Sequence, residues 1–341
     1  MAPVNRLETG WYANAPWLIL LTPVSLLFRL ASGLRRFAYR TGLLTNHRLP
    51  VPVIVVGNLT VGGTGKTPLV AWLADYLRQA GFRPGIISRG YRGQTGTWPQ
   101  RVNPDSDPVM VGDEAVMLAG QTRCPIAVGP DRVAAARAVI EQGDCNLVLS
   151  DDGLQHYALG RDIEIAVIDG VRRFGNGRLL PTGPLREPLS RLETVDLSVV
   201  NGGTDECDYR MQVHIVQAHK LDDRTMVRPL TEFRDSVVHA VAGTGHPERF
   251  FSALRQAGLQ VEAHPFPDHH VFQQKDLDFH DARPVLMTAK DAVKCRKLAG
   301  NNLWYVPVKI DLPPAFGSRL LELLENKGVA GQHLIKGSEN G

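Results

Sequence analysis

Residues Thr60–Pro68 read TVGGTGKTP. Gly65, Lys66 and Thr67 match the end of the phosphate-loop pattern GxxxxGK[ST], while Thr60 stands where that pattern has its first glycine. Gly62, Gly63 and Thr64 fill the loop between them. Glycines let several backbone N–H groups converge on phosphate oxygens, and a helix starting there adds the positive end of its dipole. A lysine at position 66 can reach the outer phosphates of a nucleotide, and a hydroxyl at 67 can ligate Mg²⁺. ATP and Mg²⁺ are therefore the expected cofactors.

Such a loop needs a second acid for the metal at the end of a neighbouring strand. CNLVLSDDG (145–153) offers Asp151 and Asp152 after a buried run. GDEAVMLAG (112–120) opens a helix with Asp113 and Glu114, where acids also complement the helix dipole. Asp169–Pro188 is long, basic and rich in Gly and Pro, and it holds Arg172, Arg173, Arg178 and Arg186. A stretch of that kind inside a compact domain is usually functional. FPDHH (266–270) adds His269 and His270. With His264 these histidines show no spacing that defines a metal site.

The elements around these residues alternate. VPVIVVG (51–57) reads as a buried strand, followed by the glycine loop and a helix from about 67 to 79. PGIISR, PIAVG, NLVLSDD and IEIAVID are further short apolar runs, with helical stretches between several of them. This alternation predicts a mostly parallel sheet covered on both faces, a P-loop NTPase fold of the RecA-like kind. DLSVVNGG reads as the last strand of that unit, and the acidic stretch Gly202–Asp208 as its boundary. The expected organisation is an N-terminal membrane-associated segment (1–50), a P-loop core (51–204), a linker able to form a β-ribbon (205–230) and a smaller α/β domain (231–330).

The formal net charge of +3 is too small to argue for nucleic acid. Its distribution says more, because residues 1–50 carry six arginines and one glutamate, a net of +5. Positions 9–28 are uncharged. Leu27, Leu30, Leu34 and Phe37 recur at helical spacing, with Arg29, Arg36 and Arg40 on another side. Pro16 and Pro23 interrupt the run, so an amphipathic helix lying on an anionic membrane surface fits better than a span. Cys124, Cys145, Cys207 and Cys295 form no CxxC pair, which supports neither a zinc finger nor a redox motif and suits a reducing compartment.

Taken in order, GNLTVGGTGKTP, SRGYRG, GDEAVML, DDGLQH, GPLREP and FPDHH resemble the tetraacyldisaccharide 4'-kinases of lipid A biosynthesis. The resemblance runs from the N-terminal apolar helix into the second domain. It implies transfer of the ATP γ-phosphate to the 4'-hydroxyl of a lipid-bearing glucosamine disaccharide 1-phosphate at the cytoplasmic face of the inner membrane. It also implies roles. Lys66 and Thr67 hold nucleotide and metal, Asp151 and Asp152 are the paired metal-site acids with Glu114 beside them, and Arg186 attends the transferring phosphate. Asp113 is the general base, assisted by His269. A sugar hydroxyl is a poor nucleophile at neutral pH, and an acid–histidine pair can take its proton. Burial or nearby acids are expected to raise the pKa of Asp113 for that task.

The competing class is a membrane-associated switch ATPase or GTPase acting on a protein partner. TAKD (288–291) resembles the guanine-reading NKxD, but its Lys290 and Asp291 are adjacent, so the base-reading geometry fails. Lipid and membrane are the expected partners, with no nucleic acid and no obligate protein partner.

Overall fold

A computed structural model describes residues 6–328 except positions 92, 204–208, 224, 299 and 301. Arg92 of SRGYRG, Cys207, most of the expected boundary stretch and positions 329–330 of the second unit lie outside the described residues.

The chain begins with α1 (Arg6–Ala13), a 3₁₀ turn (Pro16–Leu21) and α2 (Thr22–Arg40). The core then builds β1 (Val53–Gly57), α3 (Lys66–Gln79), β2 (Pro84–Ser88), β3 (Gln100–Val102), α4 (Pro108–Val111), α5 (Asp113–Gln121), β4 (Ile126–Val128), α6 (Arg132–Gly143), β5 (Leu147–Asp151), β6 (Ile163–Asp169) and β7 (Leu197–Asn201). Next come β8 (Arg210–His214), β9 (Gln217–Lys220), β10 (Val227–Pro229), β11 (Val237–Ala242), α7 (Pro247–Gln256) and β12 (Gln260–Pro265). The chain closes with β13 (Val285–Thr288), α8 (Ala289–Cys295), β14 (Leu303–Val306), β15 (Lys309–Asp311) and α9 (Pro314–Asn326).

Two sheets result. The first runs β15-β8-β7-β6-β1-β5-β2-β4-β3, parallel from β8 to β4 and antiparallel at both edges. Its central strands β1, β2, β4 and β5 are buried at every position because helices cover both faces. α3, α5 and α9 pack on one side through Leu69, Leu73, Leu118 and Phe316. α6 packs on the other through Ala135, Ala136 and Val139. The second sheet runs β10-β9-β14-β13-β11-β12, parallel among its last four strands.

Three placements differ from the boundaries read in the sequence. β7 is not the last strand of the first sheet, because β8 pairs parallel to it. The stretch read as a linker is divided, β8 joining the first sheet while β9 and β10 join the second. The chain's end also returns to the first sheet, as β15 pairs with β8 and α9 lies against α3. The close approach of those helices has a local reason: a Cβ on Gly317 would stand 2.4 Å from the Tyr76 ring.

The N-terminal segment is docked on its core side and bare on the other. Trp11 and Leu18 are buried, Trp11 Nε1 donates to Pro181 O at 2.9 Å, and Ser25 Oγ donates to Leu179 O at 3.0 Å. Leu27, Leu30, Leu34 and Phe37 are exposed, Leu27 at 68%. The helical stretch Pro16–Arg40 is long and apolar enough to cross a membrane.

Phe316 is fully buried between α9 and the first sheet, 5.7 Å from the Trp72 ring and 5.3 Å from that of Tyr209. Phe316→Ala should destabilise the protein by about 3–5 kcal/mol, read as a lower urea midpoint. A loss within about 0.5 kcal/mol, the scale of a surface change, would contradict the docking of α9 on this core.

Candidate active site

The phosphate loop joins β1 to α3, with Gly65 as the N-cap. Gly62 and Gly65 have φ of +103° and +95°, conformations that only glycine adopts freely. A side chain on Gly65 would also meet Asn201 Nδ2 at 2.5 Å, and that amide donates to Thr64 O at 3.0 Å. Thr60 is buried and bridges to Leu185 in extended pairing, so the backbone there does not require the missing glycine.

The loop's side chains converge on the strand-end acids. Thr67 Oγ1 donates to Asp151 Oδ2 at 3.1 Å. Asp151 is buried at the end of β5, and its Oδ1 has no hydrogen-bond partner. Burial, with the Glu114 charge added, pushes the Asp151 carboxyl up to about 7 against the pull of Lys66. Asp152 behaves oppositely. Burial would raise it, but Lys66 and Arg186 hold it low, at about 2. Lys66 Nζ lies 3.5 Å and Arg186 Nη1 3.2 Å from Asp152 Oδ1, and solvent reaching this partly exposed carboxylate screens both pairs. Lys66 Nζ also donates to Asn58 Oδ1 at 3.1 Å. Thr67, Asp151 and Asp152 thus offer clustered oxygen ligands of the kind hard cations take. The orphaned Asp151 Oδ1 fits a cation that would hold this acid ionised.

Asp113 and Glu114 open α5. His269 follows β12, in the other sheet, with φ of +62°. The two meet: His269 Nδ1 lies 2.9 Å from Asp113 Oδ2. An ionised Asp113 accepts the Nδ1 proton and leaves the lone pair on Nε2. His269 Nε2 is 3.5 Å from Asp268 Oδ2, and the Tyr91 ring lies 5.5 Å away. His270 turns elsewhere, to Asp276 Oδ2 at 2.9 Å and to the rings of Phe266 and Phe272. The expected upward shift of Asp113 is corrected here. Burial acts in that direction, but the His269 hydrogen bond and the charges of Lys290 and Lys294 outweigh it, and its pKa falls below the ordinary value.

The sequence points to no site role for Lys290, because TAKD resembles only an imperfect guanine motif. Its ammonium, on α8, lies 3.1 Å from Asp268 Oδ1, 3.3 Å from Glu114 Oε1 and 4.0 Å from Asp113 Oδ2. Burial opposes its charge, but Glu114, Asp113 and Asp268 raise its pKa overall. The neighbouring Asp291 is buried and accepts from Gly243 N at 3.0 Å and Thr288 Oγ1 at 2.6 Å, which occupies it in holding a loop.

The arginines of the long loop divide. Arg186 sits on Asp152, while Arg172 pairs with Glu8 at 2.9 Å and contacts His246. Arg172 Nη1 would still lie 3.9 Å from a Cβ on Gly62, so it borders the phosphate loop. Asp169 pairs with Arg249 of α7, a second link between the sheets. Gln155 and Glu187 lie behind the site, with Gln155 Nε2 donating to Asn58 O at 3.1 Å and to Glu187 Oε2 at 2.9 Å. They fall inside DDGLQH and GPLREP, two of the motifs that carry the family resemblance, and that is the available signal for them.

A parallel sheet, a glycine loop feeding a helix and paired strand-end acids define a P-loop nucleoside-triphosphate-binding protein. The sequence model of the tetraacyldisaccharide-1-P 4'-kinase family, LpxK, matches residues 17–325. The tetraacyldisaccharide 4'-kinase of Nitrosococcus oceani is 60% identical over 315 residues, covering 92% of this chain and 93% of that one. The enzyme of the same name from Methylobacillus flagellatus is 50% identical over 320 residues, covering 93% and 95%. The solved structure of LpxK from Aquifex aeolicus in complex with ATP superposes with a TM-score of 0.77 at 27% identity, covering 90% of this chain and 99% of that one. The chain belongs to the tetraacyldisaccharide 4'-kinase family, and the kinase reading prevails over the switch NTPase.

The Asp113 environment yields a signed expectation. Its carboxyl should titrate below the ordinary Asp value of about 3.9, followed by carboxyl-carbon NMR. In His269→Ala the titration should move up, since burial remains while a hydrogen bond that favours the charged form is gone. A downward or absent shift would contradict the coupling.

Proposed function

We propose that this chain transfers the γ-phosphate of ATP to the 4'-hydroxyl of a tetraacylated glucosamine disaccharide 1-phosphate, forming lipid IVA at the cytoplasmic face of the bacterial inner membrane. The observation that carries the reading is the 2.9 Å contact between Asp113 and His269, which brings an acid–histidine pair to a P-loop core from two different sheets. A switch NTPase has no need of such a base, whereas an alcohol acceptor does.

In this reading the N–H groups of Gly62, Gly63, Thr64, Gly65, Lys66 and Thr67 cradle the phosphates, and Lys66 leaves Asn58 and Asp152 to reach them. Thr67, Asp151 and Asp152 hold Mg²⁺, with Glu114 close enough to raise Asp151 by its charge. When bound, Mg²⁺ neutralises phosphate charge and polarises the group in transfer. Asp113 takes the hydroxyl proton as general base, assisted by His269, whose Nδ1 lies 2.9 Å from Asp113 Oδ2. The acceptor oxygen forms its bond to the γ-phosphorus while the bond to the ADP oxygen breaks. Arg186 offsets charge on the transferring group. Lys290 positions Asp113, Glu114 and Asp268 around the pair. The P-loop core comprises residues 51–204 joined by β8, β15 and α9, and the second sheet closes over it.

The N-terminal segment docks on the membrane as a peripheral or monotopic element. Its exposed leucines face away from the contacts made by Trp11, Leu18 and Ser25, and the flanking arginines suit anionic lipid headgroups.

The reaction is tested by incubating the protein with ATP, Mg²⁺ and the lipid disaccharide and locating the new phosphate by mass spectrometry. Phosphate at the 4'-position is expected, with slow ATP hydrolysis when the acceptor is left out. Hydrolysis that is fast without acceptor, and no phosphorylated lipid, would contradict the reading. Lys66→Ala should lower transfer by about 10²–10³-fold or more while the fold persists. Replacing Leu27, Leu30 and Leu34 together by glutamate leaves the docked side intact and should release the protein from anionic vesicles. Full sedimentation of that variant would place the anchor elsewhere.

A further inference from the structure

The second sheet carries a histidine pair that phosphotransfer does not use. β11 and β12 run parallel with His239 opposite Glu262, so Glu262 and His264, two residues apart, share the sheet face of His239. His239 is buried, and its Nδ1 lies 2.9 Å from His264 Nε2. Glu262 closes a triangle, with Oε2 3.8 Å from His239 Nδ1 and Oε1 3.8 Å from His264 Nε2.

Outer contacts fix which atoms point inward. Asp281 Oδ2 lies 3.1 Å from His239 Nε2, so a charged Asp281 accepts a hydrogen bond from the Nε2–H and leaves the lone pair on Nδ1. Arg283 donates from Nη1 to Glu262 Oε2 at 2.9 Å and from Nε to Asp281 Oδ2 at 2.6 Å, which steadies both carboxylates and leaves Glu262 Oε1 toward the histidines. Phe279 stacks on the His239 imidazole with centroids 4.0 Å apart and lies tilted against that of His264 at 4.2 Å. A carboxylate behind a histidine is the usual support of a metal-bound imidazole.

We propose that His239 Nδ1, His264 Nε2 and Glu262 Oε1 form a three-ligand site for a zinc-type divalent cation, its fourth position open to solvent. Two imidazoles and one carboxylate make a zinc donor set. The three ligand atoms already lie within 4.8 Å of one another. Bonds of about 2.0–2.1 Å in tetrahedral array place the two nitrogens about 3.3 Å apart, an opening of a few tenths of an ångström. The ion clamps edge strand β12 to β11, and β12 leads directly into the segment that carries His269. Occupancy therefore stiffens the strand from which the base partner extends. This proposal stands independently of the phosphotransfer reading. The competing account is a plain imidazole–imidazole hydrogen bond.

The test uses untagged full-length protein in detergent, titrated with Zn²⁺ and with Co²⁺ as a spectroscopic probe. Wild type should bind one equivalent more than His264→Gln or Glu262→Gln, and only wild type should show the visible bands of four-coordinate cobalt. Comparison with these variants removes any ion bound by the phosphate-loop acids. Asp281→Asn keeps the three ligands but should weaken binding about 10–100-fold. Zn²⁺ should also raise the Tm of wild type and not of His264→Gln. If His264→Gln fails to fold, Glu262→Gln, altered at a half-exposed carboxylate, carries the comparison. Equal stoichiometry and identical cobalt spectra in wild type and variant overturn the proposal.

Discussion

The hydrogen bond between Asp113 and His269 lies where the two sheets meet, and much of the surrounding structure serves to keep its two ends together. Asp113 comes from the first turn of α5 and His269 from the segment after β12, 156 residues apart in sequence. A buried lysine without partners would be strongly disfavoured. Lys290 is stable there only because Glu114 and Asp113 from one sheet and Asp268 from the other surround it. The same cation keeps Asp113 ionised, and an ionised Asp113 sets the tautomer of His269. Separating the sheets would leave Lys290 short of its carboxylates, so the charges that lower the Asp113 pKa also hold the two sheets together.

The phosphate side of the cleft works by a contrast between two adjacent acids. Asp152 faces Lys66 and Arg186 and stays charged. Asp151 is buried, feels Glu114 and keeps one oxygen without a partner. Neighbouring carboxylates pushed in opposite directions by their surroundings take different duties. Asp152 holds the two cationic side chains near the loop, and Asp151 holds the Thr67 hydroxyl that opens α3. Each arrangement follows from β1 and β5 being parallel neighbours, Val56 standing opposite Asp151.

Legibility in the sequence followed the range of the interactions involved. The phosphate loop is local, a strand, a turn and a helix within 30 residues, and Gly62 and Gly65 sit at the positive φ that the turn needs. Asp151 was readable because a strand-end acid after an apolar run is also a local signal. The pairing of Asp113 with His269 was available only through the family resemblance, since nothing near either residue names the other. The downward direction of the Asp113 pKa is hidden for the same reason, because the His269 hydrogen bond and the α8 lysines that lower it are all distant in sequence. The return of β15 and α9 to the first sheet depends on Phe316 and Gly317 fitting against α3, a matter of shape that hydrophobic pattern does not encode. Lys290 was hidden by a resemblance to another motif, although its neighbours Thr288 and Asp291 show a helix cap.

The central claim is that Asp113 and His269 act as one base assembled across the cleft, and a double-mutant cycle on kcat addresses it most directly. Asp113→Ala, His269→Ala and the double variant are compared at saturating ATP, with ATP affinity measured alongside. Groups that act as a unit are non-additive, so the double variant should be little slower than the slower single variant, with ATP affinity nearly unchanged throughout. Losses that multiply in full would show that the two residues work separately and would contradict the account.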